Sequence, residues 1–313
     1  MEKVLIEIEM ENGDVMKGEL YPEVAPITVE NFLKLIDEDF FAGLIFYYFK
    51  KKNEKNVISV NIPQSKEELL KDKIAFIVGG TGGLGTAIAE AFIAAGAKVI
   101  ISGTNEEKLQ RSVKKLGNNA KGIQIDLKKV ISFDEKVLQA VEQFSEKRID
   151  ILVNCAGIHG NQRFGEISED TWDSVLDVNL KGMFFMTQSV GNYMKKNNIK
   201  GHILNVSSAA ALKPGYTPYE ISKSGVKSLT LGVAAELIPY GIVVNAIAPG
   251  PVATEMLNWK EGDTLYTDCV PAMRFSTPSE IAQLAVIMVS NMCDLVIGDT
   301  FYISGGSGTI KYQ

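Results

Sequence analysis

From Lys73 onward the chain alternates short apolar runs with segments of helical period, and this rhythm sharply limits the folds open to it. Ile74–Val78, Lys98–Ser102, Gly122–Ile125, Ile149–Val153, His202–Val206 and Ile242–Ile247 read as strands, while Leu84–Ala95 and Glu106–Leu116 read as helices. A strand wetted on one face alternates apolar and polar residues, whereas a strand covered on both faces is apolar throughout. Repeated βα units with strands of the second kind predict an α/β fold, a doubly wound parallel sheet with helices on both faces.

The first 70 residues follow a different pattern. Val4–Met10 alternates apolar and acidic residues, Asn12-Gly13 is a hairpin turn signal, and Val15–Leu20 reads as the return strand. Thr28–Asp37 reads as a short helix with Thr28 at its N-cap, and polar Lys50–Asn56 reads as part of a linker. We therefore expect a small N-terminal β-hairpin plus helix appendage with its linker over residues 1–70, and the main domain over 71–313. One hairpin and one helix are too little to stand alone. The appendage is expected to pack on the main domain or on a partner subunit.

Charge follows the same division. Of the net charge of −6, all is carried by residues 1–70, which hold 14 acids against 8 bases. The body is neutral, so it offers no bulk basic signal for nucleic acid or anionic membrane. No run reaches the roughly 20 apolar residues of a membrane span, and Met1-Glu2-Lys3 leads into no apolar leader. A cytoplasmic protein is expected. Cys155, Cys269 and Cys293 are widely spaced and only two histidines, His159 and His202, exist. No metal site is expected, and the cysteines read as reduced, buried thiols.

Strand Ile74–Val78 runs into Gly79-Gly80-Thr81-Gly82-Gly83-Leu84-Gly85 and then a helix. Glycines let the backbone approach a pyrophosphate, and the helix N-terminus presents free amides to its charge. The spacing GxGxxG fits Gly80, Gly82 and Gly85, although so many glycines match easily and a structural turn stays open. At the end of the second strand, Ser102-Gly103-Thr104-Asn105 holds neither acid nor base. The missing acid favours NADP and the missing Arg argues against strong selectivity, so NAD stays open.

Tyr219-Glu220-Ile221-Ser222-Lys223 puts a phenol and an ammonium on one helical face. An ammonium beside a phenol favours the phenolate and lowers its pKa, which fits Tyr219 to exchange a proton with a carbonyl or alcohol oxygen. Three strands end in polar or turn-forming residues: Asn154-Cys155-Ala156-Gly157, Asn205-Val206-Ser207-Ser208 and Ala248-Pro249-Gly250-Pro251-Val252-Ala253-Thr254. Ligands of α/β proteins bind at that edge.

Residues 73–306 resemble the short-chain dehydrogenase/reductase family. The motifs stand in its order: VGGTGGLG at 78–85, NCAG at 154–157, Asn179 in its VNL, NVSS at 205–208, YEISK at 219–223 and APGPVAT at 248–254. The resemblance implies a Rossmann-type sheet and an NAD(P)-dependent oxidoreductase interconverting a ketone and a secondary alcohol. It implies Tyr219 as acid/base, Lys223 holding the nicotinamide ribose and lowering the tyrosine pKa, Ser208 on the substrate oxygen, and Asn179 anchoring a water relay to Lys223. Gly79, Gly83 and Gly85 would take the three glycine positions, and Asp126 would meet the adenine. Asn154, Ala156 and Gly157 would line the cofactor cleft, and Val252 would bind the carboxamide, with Thr254 nearby. Leu84, Thr104, Pro249 and Gly250 belong to the same expected cofactor contacts.

Other readings stand beside these. Asn179 also reads as a buried packing residue, Asp126 as a strand cap, and Thr254 as the N-cap before Glu255-Met256-Leu257. The chain departs from the family between serine and tyrosine, where ten residues separate Ser208 from Tyr219 and the family usually has about twelve. Ser207 therefore stays open as the functional serine. Thr254–Phe275 is expected to form a mobile lid. The resemblance also implies a homodimer or homotetramer. The substrate class is left among 3-oxoacyl thioesters, sugars or polyols, and hydroxysteroids. A dinucleotide-binding regulatory or scaffold protein is the alternative, and the intact Tyr219/Lys223 pair argues against it.

The N-terminal text resembles the opening third of a cyclophilin-type peptidyl-prolyl isomerase over residues 4–47, on ELYPEVAPITVENF and the GLIF that follows. Tyr47 and Tyr48 stand where that family carries its His-Arg pair. No isomerase activity is therefore expected.

Overall fold

In the computed structural model of the chain, residues 68–160, 163–260 and 262–310 are described, together with the backbone of two N-terminal strands. The chain divides into two units, Met1–Leu69 and Leu70–Gln313. In the first, β1 (Val4–Glu9) pairs antiparallel with β2 (Val15–Leu20), Val4 opposite Leu20 and Glu9 opposite Val15. The helix expected over Thr28–Asp37 and the Lys50–Asn56 linker lie outside the described residues.

In the second unit the apolar runs become one sheet of seven parallel strands. They are β3 (Ile74–Val78), β4 (Lys98–Gly103), β5 (Ala120–Gln124), β6 (Ile151–Asn154), β7 (His202–Val206), β8 (Val243–Pro249) and β9 (Thr300–Ile303). Their order across the sheet is β5-β4-β3-β6-β7-β8-β9. This is the Rossmann-type arrangement, with the chain reversing direction across the sheet between β3 and β6. The strands expected at Gly122, Ile149 and Ile242 begin instead at Ala120, Ile151 and Val243. β9 was not foreseen.

The helices are α1 (Gly83–Ala94), α2 (Glu106–Leu116), α3 (Phe133–Val141), α4 (Glu169–Leu176), α5 (Met183–Lys196), α6 (Pro218–Leu237) and α7 (Pro278–Met288). Local sequence explains several of their starts. Thr217-Pro218 and Thr277-Pro278 each open a helix with proline in its first turn, and a glutamate three residues past each threonine closes a capping box. Asn105 caps α2 by accepting from the Lys108 amide at 2.8 Å. Phe76, Phe92 and Phe133 are fully buried against the sheet. Each such side chain contributes roughly 2–3 kcal/mol of apolar burial.

Candidate active site

A cavity of about 560 Å³ follows the carboxyl ends of the central strands across the β3/β6 reversal. Val78, Ser102, Cys155, Val206 and Pro249 reach it from five different strand ends. This is the crevice where doubly wound sheets bind ligands.

The glycine loop forms its floor at one end. Gly79 has φ +83°, and a Cβ there would lie 2.6 Å from the Ala156 backbone. A Cβ on Gly85 would lie 2.3 Å from the Gly79 carbonyl oxygen. These two glycines therefore close the loop on itself and on β6. α1, like α3 and α5, has no side-chain cap, and it has no acid in its first turn. Its first amides face the cavity at Gly83, Leu84 and Gly85. An uncapped, acid-free helix N-terminus beside glycine fits a dinucleotide pyrophosphate.

At the other end Tyr219 and Lys223 both line the cavity. Lys223 is 4% exposed and donates from Nζ to the Val206 carbonyl at 2.9 Å. Its Nζ lies 5.8 Å from the Tyr219 ring centroid. Burial pushes the Lys223 ammonium down to about 8, opposed by the nearby Cys155. Burial also pushes the Cys155 thiol up to about 12, which leaves it neutral.

Burial raises Tyr219 above its ordinary 10, and the opposing pull comes from hydrogen bonding with Ser208. Lys223 stands beside the same ring, with its ammonium anchored to the Val206 carbonyl. Ser208 also accepts from the Ala210 amide at 3.1 Å and lines the cavity. Ser207 is 3% exposed, and its hydroxyl donates to the Lys223 carbonyl at 2.9 Å. The two serines are thus separated by role: one faces the tyrosine, the other braces α6.

Asn179 sits in a π-helical turn, Asp177–Gly182, between α4 and α5, not in a regular α-helix. It is fully buried. Its Oδ1 accepts from the Ile158 amide at 2.8 Å, and its Nδ2 donates to the Ile158 carbonyl at 2.9 Å and to Ser222 at 3.2 Å. A Cβ on Gly157 would lie 3.4 Å from Lys223 Nζ and 3.5 Å from Asn179 Oδ1, so both flank that glycine.

Most of the remaining expected residues line the cavity: Thr104, Asp126, Ala156, Gly157, Pro249, Gly250, Val252 and Thr254. Asn154 does not. Its Nδ2 donates to Thr187 and to Asn205, both at 2.9 Å, so it ties β6 to its neighbours beneath the cleft. Thr254 makes no capping hydrogen bond to the turn after it, and its hydroxyl is 3.4 Å from the Val252 carbonyl. Cys269 is exposed, contrary to the expectation of buried cysteines. The segment expected as a lid is tied by a bridge between Tyr266 and Arg274 and by Val252 against Ser276.

Two residues escaped sequence reasoning. The His159 ring lies 4.5 Å from that of Tyr219, tilted by 40°. Lys213 enters the cavity wall from the turn after Ser208. His159 follows the NCAG motif by two residues, a spacing that could have flagged it.

The fold and this set of residues define a dinucleotide-dependent oxidoreductase of Rossmann type. The short chain dehydrogenase family model matches residues 73–264, and the chain belongs to that family. It is 35% identical over 253 residues to the galactitol 2-dehydrogenase of Agrobacterium fabrum, covering 76% of this chain and 98% of that one. It is 33% identical over 247 residues to the 3-oxoacyl-[acyl-carrier-protein] reductase of Aquifex aeolicus, again covering 76% and 98%. The crystal structure of the 3-ketoacyl-(acyl-carrier-protein) reductase from Brucella melitensis complexed with NADH superposes with a TM-score of 0.70. That pair is 29% identical over 77% of this chain and 100% of the other. A second family model, of the cyclophilin type peptidyl-prolyl cis-trans isomerase, matches residues 5–75. The protein is an NAD(P)-dependent oxidoreductase acting on CH-OH or carbonyl groups. Among the described residues no helix is long and apolar enough to cross a membrane, and no cluster of His, Cys, Asp or Glu could hold a metal.

Proposed function

We propose that the protein interconverts a ketone and a secondary alcohol, with Tyr219 as the proton donor and acceptor. The observation that carries this reading is the pairing of Ser208 with Tyr219 at the cavity wall, behind which Lys223 is buried. A bound nicotinamide would supply or accept the hydride. Tyr219 holds the proton on its phenol oxygen and passes it to the substrate oxygen, which Ser208 orients by hydrogen bonding. Burial keeps the phenol protonated at neutral pH, which suits the reductive direction. The Lys223 ammonium would hold the ribose of a bound nicotinamide dinucleotide, and Asn179 fixes the turn that carries Ile158.

Cofactor preference leans to NADP, since no acid stands at Ser102-Gly103-Thr104-Asn105. Residues 1–70 form the appendage and 71–313 the catalytic domain. A cytoplasmic homodimer or homotetramer fits the exposed apolar residues of α5 and α6, among them Phe184, Phe185 and Leu231. Among the substrate classes, a polyol and a 3-oxoacyl thioester have counterparts in the relatives' names.

The test is Tyr219→Phe. Turnover should be lost while dinucleotide binding, followed by fluorescence titration with NADH and NADPH separately, persists. Normal turnover by that variant would refute the acid/base assignment, and a clear NADH preference would refute the lean to NADP.

A further inference from the structure

The substrate end of the cleft has a charge pattern of its own. Lys213 stands five residues beyond Ser208 and is held at a fixed reach from it. Ser208 accepts from the Ala210 amide at 3.1 Å, the Ala211 amide donates to the Ser208 carbonyl at 3.0 Å, and the Lys213 amide donates to the Ala210 carbonyl at 3.1 Å. The turn Ala209–Leu212 is also clamped from outside. Gly308, at φ +80°, packs so closely that a Cβ there would lie 2.9 Å from the Ala209 carbonyl oxygen and 3.1 Å from the Leu212 Cβ. The lysine is therefore displayed from a rigid support, not from a loose rim.

Among the described residues the Lys213 side chain has no hydrogen bond and no ion pair, although its residue lines the cavity together with Ser208 and Tyr219. The acids on the cavity wall are engaged elsewhere. Glu255 lies 3.7 Å from Lys108, and Asp126 accepts from the Lys128 amide at 3.0 Å. The ring stacked beside Tyr219 is the His159 imidazole, which is not an acid. A cation on a hydrogen-bonded turn that lines the same cavity as the reacting tyrosine favours negative charge there.

We propose that Lys213 holds an anionic group, carboxylate or phosphate, on the carbonyl or alcohol substrate. This rests on the oxidoreductase reading of the same site and narrows its substrate class. It favours an oxo acid, sugar acid or phosphorylated sugar over a neutral polyol or steroid.

The test compares matched substrate pairs with the full chain and excess NADH or NADPH. One arm sets 3-oxo acids against their methyl esters, and the other sets phosphorylated ketoses against the free ketoses. The expected result is a kcat/KM ratio of roughly fivefold or more in favour of the anion in at least one arm, falling towards one in Lys213→Gln and with added salt. The arm that responds identifies the anion as carboxylate or phosphate. Equal use of both members of every pair, or a ratio that Lys213→Gln leaves intact, would overturn the proposal. If no pair turns over, none of these molecules is a substrate, and a binding measurement replaces the rate comparison. The charge site is then read by calorimetric titration of the dinucleotide-mixed protein with 3-hydroxybutyrate, glycerol phosphate and 3-hydroxybutyramide. Binding of an anion but not the amide, lost in Lys213→Gln, supports the proposal, and no anion binding to the unaltered protein sinks it.

Discussion

The rings of His159 and Tyr219 lie 4.5 Å apart and tilted by 40°, so the proposed acid/base is walled on one side by an imidazole. His159 comes from the segment after β6 and Tyr219 from the first turn of α6, 60 positions later in the chain. Such a ring pair contributes about 0.5–1.5 kcal/mol beyond its area. His159→Ala should loosen the phenol and lower kcat by roughly two- to tenfold, and His159→Phe should restore most of it. A positioning role leaves the pH profile of kcat with the same shape in both variants. Failure of phenylalanine to rescue, with a changed profile, would point to proton handling by the imidazole instead.

Ser207 and Ser208 both line the cavity but have different hydrogen-bond partners. Ser208 lines the cavity beside Tyr219 and favours its ionised form against burial, while the Ser207 hydroxyl donates to the Lys223 carbonyl at 2.9 Å. Ser208→Ala should lower kcat/KM by roughly 100-fold, in line with loss of one donor at a reacting oxygen, and leave the denaturation midpoint nearly unchanged. Ser207→Ala should cost about 1 kcal/mol of stability and retain most turnover. Steady-state kinetics with urea denaturation of both variants reads the difference. The reverse pattern would move the substrate contact to Ser207.

The sheet was legible because burial on both faces leaves each central strand apolar throughout, as in Ile74–Val78 and Ile151–Val153. β9 escaped because Thr300–Ile303 is four residues long, opens on a polar residue and pairs only at the sheet edge. Most site residues carried by motifs reached the cavity, since motif spacing encodes strand ends and helix starts, but Asn179 is buried behind it. Asn154 did not reach it either, because strand alternation turns its side chain under the sheet edge towards Thr187 and Asn205. His159 and Lys213 depend on which segments meet in space, a tertiary fact that spacing along the chain does not carry. Helical spacing put Lys223 on the same face as Tyr219, but it could not show the tie from that ammonium to the Val206 carbonyl, 17 positions upstream.

Lys223 also gives the fold a pH signature. Its folded pKa is pushed from 10.5 down to about 8 by burial. Between those values the unfolded chain binds more protons than the folded one at this site, so its contribution to stability rises with pH. The cost of burying the charged form is fully present below about pH 8 and is relieved by pH 10.5, a span of about 3 kcal/mol. Lys223→Met has no such group. Denaturant unfolding at pH 7, 8, 9 and 10 should show the unaltered protein gaining on Lys223→Met as pH rises. A constant difference across that range would mean the ammonium is solvated in the folded state.

Two glycines of the loop should fail in different ways. A Cβ on Gly85 would fall 2.3 Å from the Gly79 carbonyl oxygen and 2.8 Å from the Gly80 Cα, both backbone atoms that cannot turn aside. Gly85→Ala should therefore shift the loop and destabilise the protein, by several kcal/mol if the backbone cannot relax. At Gly83 the nearest neighbour of a Cβ is the Thr254 methyl at 3.1 Å, and the position is the first of α1. Alanine is tolerated there by the helix, where it gains up to about 1 kcal/mol over glycine. The same methyl group projects at the amides left free for a pyrophosphate. Gly83→Ala should keep or raise the melting temperature of the unliganded protein and lose most of the upward shift that added NADPH or NADH produces in the unaltered protein. An unchanged shift in Gly83→Ala would place the dinucleotide phosphates away from the α1 N-terminus.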